Sequence, residues 1–177
     1  MRIIGGIYRH RNIIFPSEKT TRPTKDRIRE SLFSSLGDSI VTKRVLDLFA
    51  GSGAYGIEAL SRGASFCTFV DLENEPIKCI KTNLTTLKID NAKVVKSDYQ
   101  NYLNTLQENS FDVVLLDPPY AMDICNDIVN FLIDRKIISD DGIIVVETDK
   151  EFQIDESFFS KVKRFKYGFI HLTILRR

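Results

Sequence analysis

The tetrapeptide Asp117-Pro118-Pro119-Tyr120 has the residue types needed to hold an amino group in place. It follows the apolar run 111–116, which predicts a buried strand. Because proline holds the preceding residue extended, the two prolines stiffen the turn and present the Asp117 carboxylate and the Pro118 carbonyl as two acceptors. Such a pair matches the two N–H donors of an exocyclic amine on a nucleobase, and the Tyr120 ring can stack on that base. A rigid turn with an aromatic plug is the structural alternative.

A glycine-rich turn follows an earlier apolar run, and a helical pattern follows the turn. Gly51, Gly53 and Gly56 have the G-x-G-x-x-G spacing, and Asp71 lies twenty positions after Gly51. This matches the dinucleotide fingerprint, in which the acid binds the ribose. An acid within the strand, Asp47, would repel a pyrophosphate but suits a ligand with a cationic amino-acid end, such as S-adenosylmethionine. A buried aspartate that caps a loop is the alternative for this residue.

Acidic residues stand at four successive predicted strand ends: Asp47, Asp71, Asp98 and Asp117. Because the carboxyl ends of parallel strands meet at one edge of a sheet, we expect these side chains to line one site. The second acid is placed to accept from ribose hydroxyls and the third from an adenine amine. Aspartate also favours the start of a helix as an N-cap, which is the alternative for each position taken alone.

The elements that must position these residues alternate between strands and helices, which is typical of an α/β fold with a parallel sheet covered on both faces. We predict a doubly wound, Rossmann-like sheet with an antiparallel edge hairpin formed by 162–165 and 169–175. Residues 2–15 predict a twisted hairpin and residues 25–33 a helix that stops at Gly37. We therefore divide the chain into an N-terminal extension, 1–40, and a main domain, 41–177.

Charge is distributed unevenly along a chain whose net charge is +1. Residues 1–29 contain eight Lys/Arg and two acids, a net charge of +6, whereas the remainder carries −5. A basic segment on a mildly acidic body predicts that a polyanion docks at one end. A merely solvated N-terminus is the alternative.

Composition excludes several other classes of protein. The 177 residues are 43% hydrophobic and 28% charged, as in one ordinary globular domain. The three cysteines lack C-x-x-C spacing and the two histidines are isolated, so we predict no metal site and reduced cysteines. No apolar run approaches the ~20 residues of a membrane span. We expect a cytoplasmic protein.

Taken together, these motifs resemble the RsmD-type ribosomal RNA guanine-N2 methyltransferases of bacteria. The resemblance is carried by the N-terminal and glycine-turn segments, the acid and the D-P-P-Y loop, that is residues 2–9, 21–33, 45–64, Asp71 and 117–120. It implies S-adenosylmethionine as methyl donor and a guanine of 16S ribosomal RNA, within the small ribosomal subunit, as acceptor. A guanine N2 lies on the minor-groove edge of a paired base, so we expect an unpaired or extruded target.

The resemblance, with the strand-end positions above, implies three sets of site residues. The catalytic residues are Asp117, Pro118, Pro119 and Tyr120. The cofactor-binding residues are Asp47, Phe49, Ala50, Gly51, Gly53, Gly56, Asp71, Leu72, Asp98, Tyr99 and Asp117. The RNA-binding residues are Arg2, Arg9, Arg11, Arg22, Thr24, Lys25, Arg27 and Arg29.

Two residues depart from the family pattern. His10 stands where a glycine is expected, so the local backbone can differ there, and Tyr55 replaces an aliphatic residue in the glycine turn, next to the cofactor. An N6-adenine methyltransferase acting on DNA or RNA is the nearest alternative function, because that amine has the same donor geometry. A nicotinamide oxidoreductase is disfavoured by Asp47 and by the D-P-P-Y loop. An RNA-attaching protein without enzymatic activity is the third alternative.

Overall fold

A computed structural model describes residues 1–16 and 23–177 of the chain. For residues 23–25 it describes the backbone only. Its centre is one seven-stranded sheet with the order β3-β2-β1-β4-β5-β7-β6. The strands are β1 Arg44–Asp47, β2 Phe66–Asp71, β3 Ala92–Lys96, β4 Phe111–Leu116, β5 Ile138–Thr148, β6 Lys161–Tyr167 and β7 Ile170–Arg176. The helices are α1 Pro23–Leu36, α2 Ala54–Ser61, α3 Asn74–Leu87, α4 Tyr99–Asn104 and α5 Cys125–Asp134.

The first five strands of the chain are parallel to one another. Strand β7 pairs antiparallel with both of its neighbours, β5 and β6. The predicted fold class is therefore confirmed, including the C-terminal edge hairpin. Strand β1 lies between β2 and β4, so the chain runs outward from β1 in one direction and then crosses back to start the other half of the sheet. Such a reversal opens a crevice at the carboxyl ends of the central strands, where ligands of this fold class bind.

Both faces of the sheet are buried by helices, and each strand contributes to both because neighbouring strand residues point to opposite sides. Val45 packs into one core cluster, together with residues of the first three helices. Its neighbour Leu46 packs into a second cluster, with residues of α4 and α5. The apolar run 113–116 of β4 follows from this double coverage, since residues buried on both faces of a sheet have no solvent-facing position.

The N-terminal segment forms the predicted hairpin, but only as a short one. Its two arms share only one β-bridge, between Arg2 and Asn12, and form no strands. Further along, the backbone N–H groups bond to helix α2 instead: Ile4 and Gly5 donate to the Glu58 carboxylate at 2.9 and 2.8 Å. These donors therefore do not need a second strand. The core side chains of this segment and of α1 belong to the same cluster as the sheet, and the boundary at residue 40 stays a prediction.

Candidate active site

A cavity of about 590 Å3 opens at the carboxyl ends of the central strands. It brings together residues from the glycine turn, from the end of β2, from the start of α4 and from the loop after β4. Its walls include eleven of the residues predicted to be catalytic or cofactor-binding: Phe49, Ala50, Gly51, Asp71, Leu72, Asp98, Tyr99, Asp117, Pro118, Pro119 and Tyr120. The strand-end rule therefore located the crevice correctly.

Two glycines of the glycine turn are needed for different reasons: Gly51 for its positive φ, and Gly56 for the close packing of α2 on β2. Gly51 has a φ of 55°, and a Cβ built there would meet open space, so this residue leaves room at the cavity wall. A Cβ on Gly56 would lie 2.3 Å from the Phe69 ring, so only glycine lets α2 pack this closely on β2. The first glycine faces the cavity and the third serves packing, although their spacing gives no hint of the difference.

Asp47 is not among the residues that line the cavity, and its predicted contact with the cofactor stays a prediction. Its carboxylate is only 3% exposed and accepts a hydrogen bond from the Gly56 N–H at 2.9 Å. Burial raises the pKa of Asp47 to about 7, against the lowering effect of that hydrogen bond. The residue caps the turn that leads into α2, as the alternative interpretation had it. Gly53 and Gly56 are also absent from the cavity lining.

Asp71 and Asp98 reach the cavity while also organising the backbone around it. Asp71 accepts from the Gly51 N–H at 2.8 Å and from the Glu73 N–H at 3.0 Å, so it ties the end of β2 to the glycine turn. Asp98 is the N-cap of α4 and accepts from two N–H groups in the first turn of that helix. Their predicted contacts with ribose and adenine remain predictions, because capping alone accounts for an aspartate at both places.

Two aromatic rings stand together in the cavity wall. Phe49 and Tyr99 have ring centroids 5.4 Å apart at an angle of 45°. The backbone of Phe49 has a φ of 152°, a value that residues with a side chain rarely adopt. Backbone strain of this kind persists where the surrounding structure imposes it and clusters at ligand sites. The strained residue lies in the cavity wall directly before the glycine turn.

A buried carboxylate behind the D-P-P-Y loop escaped the sequence analysis. Glu147, 2% exposed, ends β5 and accepts from the Tyr55 hydroxyl at 2.5 Å and from the Tyr120 hydroxyl at 3.3 Å. Burial, followed by the nearby charge of Glu147, raises the pKa of both tyrosines, so they stay protonated as donors. Tyr55, between Gly53 and Gly56, is thus connected through Glu147 to Tyr120 of the D-P-P-Y loop. The rule that found four strand-end acids would have found Glu147 as a fifth.

Arg29 is also placed differently from the prediction, which had it facing solvent or phosphate. It is 2% exposed, donates to the Arg2 carbonyl at 2.7 Å and contacts Asp26 at 3.2 Å. Its Nε lies 3.6 Å from Glu58, which is itself 1% exposed. A buried carboxylate needs a cation beside it, and this pairing draws Arg29 inside. One edge of its side chain forms part of the cavity wall.

The remaining predicted RNA contacts fall into two groups. Arg2, Arg9, Arg11 and Arg27 are exposed, and the third donates to the Thr86 carbonyl at 3.2 Å. Arg22 lies outside the described residues, as do the side chains of Thr24 and Lys25. RNA binding by these residues stays a prediction. In residues 1–16 and 23–177, no helix is long and apolar enough to cross a bilayer, and no group of His, Cys, Asp or Glu has the arrangement of a metal site.

Comparisons with known proteins agree with this geometry. A family model described as conserved hypothetical protein 95 matches residues 1–176. Ribosomal RNA small subunit methyltransferase D of Escherichia coli K12 is 39% identical over 151 residues, which cover 85% of this chain and 76% of that protein. YlbH of Bacillus subtilis 168, provisionally named an rRNA methyltransferase, is 36% identical over 182 residues, covering 100% and 99%.

A solved structure extends the match to the whole fold. The Escherichia coli protein yhhF superposes with a TM-score of 0.87 at 34% identity, over 100% of this chain and 97% of that one. The family match, the relatives and the cavity at the switch point of the sheet lead to the same conclusion. This chain belongs to the RsmD-type family of S-adenosylmethionine-dependent methyltransferases.

Proposed function

We propose that this protein transfers a methyl group from S-adenosylmethionine to the exocyclic N2 amine of a guanine in the 16S RNA of the small ribosomal subunit, in the cytoplasm. One observation carries the proposal: the D-P-P-Y loop and the glycine turn form walls of the same cavity. An amine held at the loop is therefore close to a ligand held at the turn. The small-subunit substrate is supported by the name of the Escherichia coli relative.

The charge of the cavity fits the cofactor. Asp71, Glu73, Asp98 and Asp117 line it, and among its described lining residues the only Lys or Arg is the buried Arg29. A sulfonium with an ammonium end is attracted to such a site, whereas a pyrophosphate is repelled. Asp71 would hold the ribose, Asp98 the adenine amine, and Phe49 and Tyr99 the adenine ring.

The chemistry asked of the protein is mainly alignment. When bound, the cofactor supplies an electrophilic methyl group on a positively charged sulfur. The Asp117 carboxylate and the Pro118 carbonyl accept hydrogen bonds from the two N–H groups of the target amine. These bonds keep the lone pair of the amine directed at that methyl group. No strong base is needed, because the proton leaves from a nitrogen that is already alkylated and cationic. The Tyr120 ring, held by Glu147, provides a stacking surface for the base.

Replacing Asp117 with Ala tests this assignment. We expect methyl transfer to small subunits that lack the modification to fall at least about 100-fold, since an aligning charged acceptor is lost. Asp123→Ala is the matched control, because this exposed acid lies six residues along the same loop and pairs with Lys150 on the surface. Turnover of the Asp117 variant within a few-fold of the control would refute the role.

The identity of the methylated base is a separate measurement. Small subunits methylated with a tritiated methyl donor are digested to nucleosides, and the label is located by chromatography. We expect it in N2-methylguanosine. Label in N6-methyladenosine would support the adenine alternative, whose amine presents the same two donors to Asp117 and Pro118.

A further inference from the structure

The C-terminal hairpin of β6 and β7 is a second strongly basic segment. Residues 161–177 contain six Lys/Arg and no Asp or Glu, whereas residues 30–160 contain 11 Lys/Arg and 22 acids. The hairpin forms the β6 edge of the sheet. The acidic body of the protein is therefore bordered by basic segments at both ends of the chain. Such charge asymmetry is typical of a surface that docks a polyanion.

The fold brings this hairpin next to the N-terminal helix. From β6, Lys163 donates to the Ser35 hydroxyl of α1 at 3.3 Å, and the Tyr167 hydroxyl bonds that of Ser31. From β7, Arg176 donates to the Ser39 hydroxyl at 3.1 Å. Residues more than 120 positions apart in the sequence are therefore in contact along one surface.

The tip of the hairpin reaches the candidate active site. Gly168, with a φ of 64°, allows the tight turn, and Phe169 follows it with 54% of its surface exposed. The Phe169 ring stands edge to face with Tyr120, at 87° and a centroid distance of 6.3 Å. The tip is fixed by the Tyr167–Ser31 hydrogen bond and by the Tyr167–Ile170 strand pair. A large apolar ring is therefore held, exposed, beside the catalytic loop.

The lysine nearest the tip is available for a phosphate. Lys166 is exposed and forms the second strand pair from the turn, opposite His171. The neighbouring Arg164 is neutralised by Glu156 at 2.5 Å. An aromatic ring with a lysine beside it matches the way proteins bind unpaired nucleic acid, in which rings stack on bases and cations follow the backbone.

We propose that the tip of the β6–β7 hairpin is a second RNA-contacting surface, on which Phe169 stacks on an unpaired nucleobase adjacent to the target and Lys166 contacts the phosphate backbone. This inference rests on the proposed function. It adds a contact beside Tyr120, from a residue that does not line the cavity. Because a base reaches the D-P-P-Y loop only when it leaves its helix, its neighbour loses a stacking partner, which Phe169 replaces.

A pair of equally exposed phenylalanines makes the stacking contact testable. Phe158 is also 54% exposed but lies in the 3-10 turn Glu156–Phe158. Binding of unmodified 16S ribosomal RNA is measured with S-adenosylhomocysteine present, for Phe169→Ala and Phe158→Ala. We expect the first variant to raise the Kd on the order of tenfold, as for loss of one base-stacking contact, and the second to change it less than twofold. Calorimetry should give unchanged S-adenosylmethionine affinity for both.

The phosphate contact is tested by salt dependence. Lys166→Ala is compared with Lys93→Ala, since Lys93 is equally solvent-exposed but lies on β3 at the opposite edge of the sheet. We expect the slope of log K against log salt concentration to decrease by about one for the first variant and to stay unchanged for the second.

The two failures are distinguishable because binding and methyl transfer are measured separately. If Phe169→Ala and Lys166→Ala bind RNA as their controls do, the hairpin surface is wrong, even when the wild-type protein methylates its substrate. If these variants show the expected defects while the wild-type protein methylates no guanine, the proposed function fails and the RNA-contacting hairpin stands.

Discussion

At the scale of single residues, the Asp47 carboxyl group shows how burial raises a pKa. Burial is the main reason that its pKa rises to about 7, and the negative charge of Asp71 adds to the effect. The hydrogen bond from Gly56 works in the opposite direction. The folded protein therefore holds this proton at pH values where the unfolded chain has lost it.

This difference predicts a pH-dependent stability. The pKa is raised on folding, so the native state binds the proton more tightly, and stability decreases as pH rises from about 4 through about 7. The loss amounts to at most about 4 kcal/mol. Asp47→Asn keeps an acceptor for Gly56 but cannot ionise. In urea unfolding at pH 5 and pH 8, we expect the wild-type protein to lose more stability than this variant. Equal losses would contradict the assignment.

His10 has a backbone conformation that glycine adopts more readily than other residues. Its φ is 69°, in the left-handed region, and its N–H donates to the Ile3 carbonyl at 2.9 Å. We expect His10→Gly to raise the free energy of unfolding by about 0.5–1 kcal/mol, since the steric cost is removed. Thermal unfolding measures the change. His10→Ala, which keeps a Cβ, should give no such gain.

At the scale of elements, helix α2 anchors the N-terminal segment. Glu58 accepts from the backbone of Ile4 and Gly5, contacts Arg29 and pairs with Arg62 at 2.8 Å. One turn later, the Ser61 carbonyl accepts from Ile7 and its hydroxyl accepts from Tyr8. A Cβ on Gly6 would lie 1.8 Å from that carbonyl oxygen, so the segment can lie this close only with glycine there.

Removing the charge of Glu58 should therefore loosen the whole segment. Glu58→Gln removes the buried carboxylate beside Arg29, which keeps only the partly exposed Asp26 as an acidic partner, and we expect a loss of about 3–5 kcal/mol in the free energy of urea unfolding. The control is Glu30→Gln, because Glu30 is exposed on α1 and should change stability by less than about 0.5 kcal/mol. A Glu58 variant as stable as this control would show that the ion pair does not hold the segment.

At the scale of the whole molecule, the cavity and its charge depend on the sheet order. The switch between β1 and β4 opens the crevice, and the acids of three strand ends meet there. The same order puts the basic hairpin at one edge of the sheet, packed against α1. The protein thus combines an acidic cavity, which suits a cationic cofactor, with a basic edge, which we propose contacts RNA.

The acidic cavity predicts which nucleotide ligand stabilises the protein. At a concentration 100 times its Kd, S-adenosylmethionine should add about 2.7 kcal/mol to the stability. For a chain of this size this corresponds to a rise of about 5–10 °C in Tm. NAD, whose pyrophosphate meets the same acids, should leave the Tm unchanged. A larger shift with NAD than with S-adenosylmethionine would contradict the assignment of the cavity.

Local patterns in the chain determined the fold class and most of the site. The apolar run 111–116, the glycine turn and the acids at strand ends are short-range signals, and each is set by the backbone conformation that its own residues favour. Since parallel strands end at a common edge, these signals also placed Asp71, Asp98 and Asp117 around one cavity. The predicted alternation of strands and helices was enough to predict the sheet.

Contacts between distant residues decided the rest, because charge and periodicity do not reveal which partner a side chain meets. Arg29 looks like the other arginines of the N-terminal segment, yet it is buried because a carboxylate 29 positions away requires it. Asp47 looks like the other strand-end acids but faces the turn, and Glu147 is linked to two tyrosines from other elements. The residue types were fixed by the chain, whereas burial and pairing were fixed only when the sheet brought its two halves together.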